Sequence, residues 1–577
     1  VTAAGQDSSA TAGRSFAVRR DLLRHRTVSA GRRVLGLDAP SANHTIAVLH
    51  DDEREAPGLA PRELIQLRYV RLFGATGAVM MAIGALGAGA QPVLQNPTQG
   101  VRLLGLFART QTSSLAIVMT GTVMVVLAWL LLGRFAIGST ASGAPLRRLS
   151  RSQLDRTILL WVIPLTIAPP MFSRDVYSYL AQSEITARGL DPYGIGPAQA
   201  LGVDHVLTRT VPTIWRDTPA PYGPFFLWLG RAISEITGDN IVVGIFMHRL
   251  LALIGVGLIV WALPRLARRC GVAAVSALWL GAANPLLLFH LVSGVHNEAL
   301  MLGLMLAGME IALSAIESTD RLRGINLVLL LGGCSVIALS STIKIPSLIA
   351  LGFVGMALAR RWGGTLRALI SAAALLLAVA AAVTLLVSSA SHLGIGWIHT
   401  LGTANAVRSW MSLPTSIGVI TGFGGVLLGI GDHTTAVLSL TRPIAALVAA
   451  FVTLRMLIAV LTGRLHPVGA LGVSLGTLVL LFPVVQPWYL LWGVIPLAAW
   501  ATTPAFRIPT IAASSIVCVI LMPNGAEFQP ITIVQASIVT IVTCVLLIVL
   551  TRNVLPWRSQ PGPDQSALEP TAYAGPS

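Results

Sequence analysis

Apolar stretches recur along this chain from residue 69 onward, most of them close to the roughly 20 residues needed to cross a bilayer's hydrocarbon core. They fall at 69–89, 113–133, 157–171, 241–263, 273–291, 298–316, 325–343, 345–359, 367–388, 441–461, 467–485, 488–503, 508–522 and 529–550. Fourteen such stretches predict an all-α, polytopic transmembrane protein, with shorter members tolerated where they are broken or enclosed.

Arginine sets the expected orientation. Arg134, Arg147, Arg148, Arg151 and Arg156 occupy one short loop, and Arg265, Arg268 and Arg269 the next. Arg321 with Arg323, then Arg360, Arg361 and Arg367, and finally Arg464, Arg507 and Arg552 continue the series. All share the cytoplasmic side if both termini are cytoplasmic, which puts residues 172–240 outside. Residues 222–233 (YGPFFLWLGRAI) and 411–431 are apolar enough to span, but counting either alone inverts every later basic loop. The first therefore reads as an external interfacial helix. The second, glycine-rich and holding Pro414, reads as a re-entrant or external hairpin packed on protein.

Composition agrees. Of 577 residues, 54% are hydrophobic and 11% charged, against the roughly one quarter charged of a soluble domain. The formal charge of +16 then reflects arginines held near anionic headgroups, not nucleic-acid binding. Residues 1–68 form a basic, mostly flexible cytoplasmic arm, 69–552 the membrane domain, and 553–577 a cytoplasmic tail. Arg19, Arg20, Arg32 and Arg33 lack the apolar core of a secretory signal, so no cleavage is expected. Cys270, Cys334, Cys518 and Cys544 have no metal or redox spacing, and no phosphate loop or nucleotide-binding domain is present.

The polar residues between apolar stretches collect on the expected outer side. In FSRDVYSYLAQSE, 172–184, Ser173 can cap a helix whose first turn holds Arg174 and Asp175. The helix start favours an ionised Asp175, with Tyr179 and Gln182 on the same face. Asp175 is either a general base for a hydroxyl acceptor or a cap paired with Arg174. DPY and PYG place Asp191, Tyr193, Asp217 and Tyr222 at proline-shaped turns that can line a sugar-sized cleft or form a lid. His296, Asn297 and Glu298 mark a break between apolar runs, as substrate contacts or as a helix cap. Lys344, the only lysine in the sequence, precedes Ile345 and Pro346 in another break. It can meet a lipid phosphate or snorkel to the headgroups. His399 and Arg408 can join the same anion site, while Gln486, Trp488 and Tyr489 can contact a sugar or hold a broken helix.

FSRDVYSYLAQSEITARGLDPY, APYGPFFLWL, HLVSGVHNEALMLGLMLAG and KIP together make the chain resemble a known family over residues 65–550. It is similar to the actinobacterial polyprenol-phosphate-mannose-dependent α-1,6-mannosyltransferases of the membrane glycosyltransferase C class. The resemblance implies mannose transfer, outside the plasma membrane, from polyprenyl-phosphate-mannose to the 6-hydroxyl of a lipid-linked mannan during lipomannan and lipoarabinomannan synthesis. It implies Asp175 as base, inversion at the sugar, and Lys344 with Arg408 on the leaving phosphate. No D-x-D surrounds Asp175, so no metal ligand is assigned and a divalent requirement stays open. A transporter or flippase of polyprenyl-linked glycan is the competing reading, since broken spans and polar pockets also serve alternating access.

Overall fold

The computed structural model describes residues 48–53, 56–138, 146–406 and 408–557. The expectations for residues 1–47 and 558–577 lie outside these described residues. The chain opens with α1 (Pro61–Ala88), α2 (Leu104–Arg109), α3 (Gln111–Ile137) and α4 (Arg151–Ile167). A shorter group follows, α5 (Asp175–Ala187), α6 (Pro197–Leu201), α7 (Val206–Thr210) and α8 (Pro224–Thr237). The middle holds α9 (Ile241–Arg269), α10 (Ala274–Gly281), α11 (Glu298–Ile316), α12 (Ile325–Ser341), α13 (Ile349–Arg361) and α14 (Leu366–Ala390). The last six are α15 (Leu413–Leu427), α16 (Thr434–Leu461), α17 (Pro467–Leu481), α18 (Leu490–Ala498), α19 (Pro504–Ile520) and α20 (Pro530–Thr551).

Seven of these, α1, α3, α9, α11, α14, α16 and α20, are long and apolar enough to cross a membrane. The protein is thus an all-α, polytopic membrane protein. The other expected stretches fold as shorter helices. Residues 273–291 break after α10, where Asn284 caps a turn before Pro285 by accepting from the Leu286 N–H at 2.9 Å. The chain then continues as a π-helix, Leu287–Ser293. Residues 411–431 contain a regular helix, α15, whose Gly418, Gly422 and Gly425 are buried, with Gly418 close against Leu438 of α16. Its glycines serve close packing, and Ile417, Ile420 and Phe423 are exposed. The expected interfacial helix is α8, which buries Phe226, Leu227 and Ile233 and leaves Trp228 partly exposed.

Helix α11 is central. Protein encloses 83% of its apolar stretch, against 17% for α14, 22% for α16 and 11% for α20, which face outward. It meets α9 at backbone distance: a Cβ on Gly303 would lie 2.4 Å from the Gly255 carbonyl oxygen. Small residues at such crossings allow the dispersion contacts that hold helices together in lipid. Nineteen residues make α11 about 28 Å long, so its two ends belong to two different faces of the bundle.

At one end the arginines gather. Arg269 pairs with Glu310 and Glu317 at 2.7 Å each, and Arg507 with Glu53 at 2.6 Å, beside Arg148. Residues 48–53 and 56–60, expected as flexible, are tied down here, with His50 stacked on Trp500 at 5.2 Å. At the other end the polar turns meet. The Met171 N–H donates to the Ser293 carbonyl at 3.4 Å, Phe172 to Pro523 at 2.9 Å, and Gly223 to Ile343 at 3.0 Å.

Candidate functional site

Helix α5 begins at Asp175 because Ser173 turns back on it, its hydroxyl accepting the Asp175 N–H at 3.1 Å. The preceding Phe172 has a φ of 65°, and Val295, next to His296, has a φ of 59°. Positive φ is costly for an aromatic and more so for a β-branched residue, and such strain concentrates at functional sites. Both strained residues precede polar side chains that face each other.

Lys344 sits across from them. Gly223 is packed so closely on the Thr342 carbonyl that a Cβ there would lie 2.2 Å from its oxygen. The Phe225 N–H also donates to that carbonyl at 3.1 Å. The PYG turn therefore fixes the backbone that presents Lys344. The ammonium donates to Glu298 Oε1 and, at 3.2 Å, to the Tyr489 hydroxyl. It also lies 4.6 Å from the Tyr489 ring, 5.7 Å from Trp492 and 5.9 Å from Tyr222. Glu298 accepts in addition from Trp488 Nε1 at 3.1 Å.

His296 joins the two charged groups. Its Nδ1 is 3.7 Å from an Asp175 oxygen and 3.8 Å from Glu298 Oε2, and its ring stacks on Trp488 at 3.6 Å. Burial first, then the nearby Glu298 charge, push the Asp175 carboxyl up to about 6, against the opposing pull of Lys344 and Ser173. The helix start expected to keep this acid low is outweighed by burial.

A cavity of about 870 Å³ opens on this network. It is lined by Arg174, Asp175, Gln182, Tyr222, Lys344, Gln486, Trp488 and Tyr489 among the residues singled out from sequence. His296, Asn297 and Glu298 lie buried directly behind it. Arg174 turns from Asp175 to the Gln91 carbonyl at 3.3 Å and covers the Tyr177 ring at 5.3 Å. Tyr179 is buried edge-on against Tyr222 and Phe226. Asp191 caps its own turn through the Tyr193 N–H at 2.9 Å, and Tyr193 is buried outside the lining. His399 is exposed, and Arg408 is exposed near Asp432 and Arg442; neither lines the cavity.

Sequence reasoning missed Trp215, Trp397, Trp410 and Trp492, which supply aromatic walls, and Glu527, an acid at the rim. Trp492 was legible as the residue four after Trp488 at a helix start. Trp397 and Trp410 carried no local signal. Among the described residues, no group of three or more His, Cys, Asp or Glu is arranged to hold a metal ion.

The chain matches a family model described as alpha-(1->6)-mannopyranosyltransferase, N-terminal domain, over residues 71–360. A second, described as MptB C-terminal domain, matches residues 414–549. It is 57% identical to a protein of Mycolicibacterium smegmatis named "Probable alpha-(1->6)-mannopyranosyltransferase", covering 92% of this chain and 98% of that one. An alpha-(1->6)-mannopyranosyltransferase of Mycobacterium tuberculosis is 56% identical over 89% of this chain and 93% of its own. Alpha-(1->6)-mannopyranosyltransferase B of Corynebacterium glutamicum is 42% identical over 83% and 80%. No solved structure matches the chain. The two family models together span most of the membrane domain and both halves of the cavity, and the chain belongs to the alpha-(1->6)-mannopyranosyltransferase family.

Proposed function

We propose that this protein is an inverting mannosyltransferase that moves mannose from polyprenyl-phosphate-mannose to the 6-hydroxyl of a lipid-linked α-1,6-mannan in lipomannan and lipoarabinomannan synthesis. The observation that carries the mechanism is a carboxylate, Asp175, and an ammonium, Lys344, on the lining of one aromatic-walled cavity. Asp175 takes the proton of the acceptor hydroxyl as its oxygen attacks the anomeric carbon. The bond from that carbon to the phosphate oxygen breaks with inversion, and polyprenyl phosphate leaves with the electron pair. Lys344 stabilises the charge that develops on the phosphate. Tyr222, Trp488, Tyr489 and Trp492 offer flat faces for sugar rings.

The reading extends to the membrane. Fourteen crossings, counting the shorter and broken helices, keep the arginine end cytoplasmic together with both termini, and the cavity end opens outward from the plasma membrane. The separation of arginines and polar turns at opposite ends of α11 supports this orientation. A transporter or flippase role has no support among the relatives, whose names are all those of transferases.

The test supplies polyprenyl phosphate carrying labelled mannose and a defined α-1,6-mannoside acceptor to purified protein, and determines the product linkage. Wild type is expected to form a new α-1,6 bond and Asp175→Asn to lose transfer while still binding donor. Normal turnover in Asp175→Asn would reject the base. Movement of intact lipid between leaflets with no product would reject the transferase.

A further inference from the structure

His296 is fully buried, and neither of its ring nitrogens has a hydrogen-bond partner. The same is true of Glu298 Oε2, the oxygen facing it, while Oε1 is held by Lys344 and Trp488. A buried imidazole lying 3.7 and 3.8 Å from two carboxylates has two acceptors within a small side-chain rotation. Trp488 fixes the plane of the ring by stacking. The other titratable or charged groups around it are His290, with ring centres 6.2 Å apart, and Lys344, with Tyr179, Tyr222 and Tyr489 on the neighbouring walls. None of the tyrosines or His290 supplies a negative charge near neutrality, so the two carboxylates and Lys344 decide the charge of His296.

We propose that Asp175, His296, Glu298 and Lys344 form a relay in which donor phosphate, by drawing Lys344 away from Glu298, causes His296 to take a proton from the Asp175 carboxyl. The inference rests on the reading of Asp175 as base and Lys344 as the donor-phosphate contact. Before the donor arrives, Lys344 neutralises Glu298, and a cationic His296 would be repelled by the ammonium. Once the phosphate holds Lys344, Glu298 is a buried carboxylate without a cation. His296 becomes the nearest group able to supply one. The proton balance is simple: a carboxylic acid and a neutral imidazole become a carboxylate and an imidazolium whose Nδ1–H faces both acids. On the acid side of about pH 6, where Asp175 of the donor-free protein keeps its proton, the base is thereby readied when a leaving group is present. His296 is a positioning residue here, since it acts through Asp175 and touches neither sugar nor phosphate.

The experiment follows the transfer rate at saturating donor against pH for wild type, His296→Gln and Asp175→Asn, with donor affinity measured separately. Gln keeps hydrogen bonding but cannot become a cation. An opposite charge at this spacing lowers a carboxylate by about 1–3 units, so its loss is expected to move the acid limb upward by at least about one unit. That predicts a roughly tenfold or greater loss of rate on the acid side, with most of the rate returning at high pH and donor affinity within about threefold of wild type. A loss of equal size at every pH, or an acid limb in the wild-type position, would overturn the relay. Should His296→Gln fail to fold, Glu298→Gln takes its place. It frees Lys344 for the phosphate and is expected to tighten donor binding; unchanged or weaker donor binding overturns the proposal. Asp175→Asn separates the two levels: an inactive Asp175→Asn beside a wild-type profile in His296→Gln removes only the relay, whereas an active Asp175→Asn removes the base itself.

Discussion

Replacing Lys344 by Met tests whether its ammonium belongs to the fold, to the chemistry, or to both. In the structure the Lys344 side chain is 18% exposed and that of its partner, Glu298, 1%. Removing one member of a buried pair leaves the other charged and unsolvated, at a cost of about 3–5 kcal/mol. Lys344→Met is therefore expected to lower the thermal unfolding midpoint in detergent, followed by tryptophan fluorescence. Glu298→Gln has the matching defect, softened because Lys344 still reaches Tyr489 and the cavity. In the double variant neither charge remains, and the Gln oxygen still accepts from Trp488. Most of the lost stability is expected to return, with a coupling between the sites of about 2–3 kcal/mol. Mannose transfer is not expected to return, since the phosphate still lacks its cation. Two results would refute the reasoning. Additive losses, with no coupling, would mean that the pair is solvated; recovery of transfer in the double variant would mean that Lys344 serves Glu298 alone.

Asp175 links stability and turnover with opposite signs. Its folded value of about 6 exceeds the ordinary carboxylate value, so the native state binds this proton more tightly than the unfolded chain does. Stability from this group therefore increases as pH falls from about 6 toward the unfolded value, and the ionised acid is a burden at neutral pH. Asp175→Asn is expected to be more stable than wild type at pH 7 by on the order of 2–3 kcal/mol, read from the thermal midpoint, while losing transfer. Wild-type kcat/KM is expected to fall as pH drops through about 6, because a base must be deprotonated to act; a flat profile from pH 5 to 8 would contradict this. Gly223→Ala places a methyl against the Thr342 carbonyl and is expected to raise donor KM at least tenfold by moving Lys344, an effect absent from Gly332→Ala, where a Cβ meets open space. Glu53→Gln leaves Arg148 and Arg507 without the carboxylate beside them and is expected to lower stability by about 3 kcal/mol without changing donor KM; a changed KM would tie the arginine end to the cavity.

The legible parts of this protein were those written in local chemistry. Ser173 before Asp175 is a helix-start signal complete within three residues, and the structure starts α5 one residue later than a Ser173 cap would, with Arg174 at the cap position and Ser173 accepting the Asp175 N–H. Charge asymmetry between loops sorted Arg269, Arg361 and Arg507 from the polar turns without any knowledge of packing. Lys344 stood out because a lone lysine between apolar stretches needs a partner. Its partner did not stand out: Glu298 lies 46 residues away, and only the crossing of α11 beside the break after α12 brings them together. For the same reason Arg408 was expected to join Lys344 at the anion site, although it stands near Asp432 and Arg442 instead. The acidity of Asp175 was misjudged because a helix start is a local effect, whereas the cost of burial is set by walls drawn from distant turns. Glycine content misled in 411–431, where helix-to-helix contact and irregular backbone leave the same composition.

That lone lysine also gives the chain a chemical address. An amine-selective reagent has one side-chain target in this sequence, and that amine opens onto the cavity beside Glu298, Tyr489 and Trp492. Acylation at Lys344, located by peptide mass, counts empty cavities one by one, and protection by a lipid phosphate counts filled ones. Occupancy can thus be read on the unaltered protein, in its own bilayer, with no residue replaced and no turnover required.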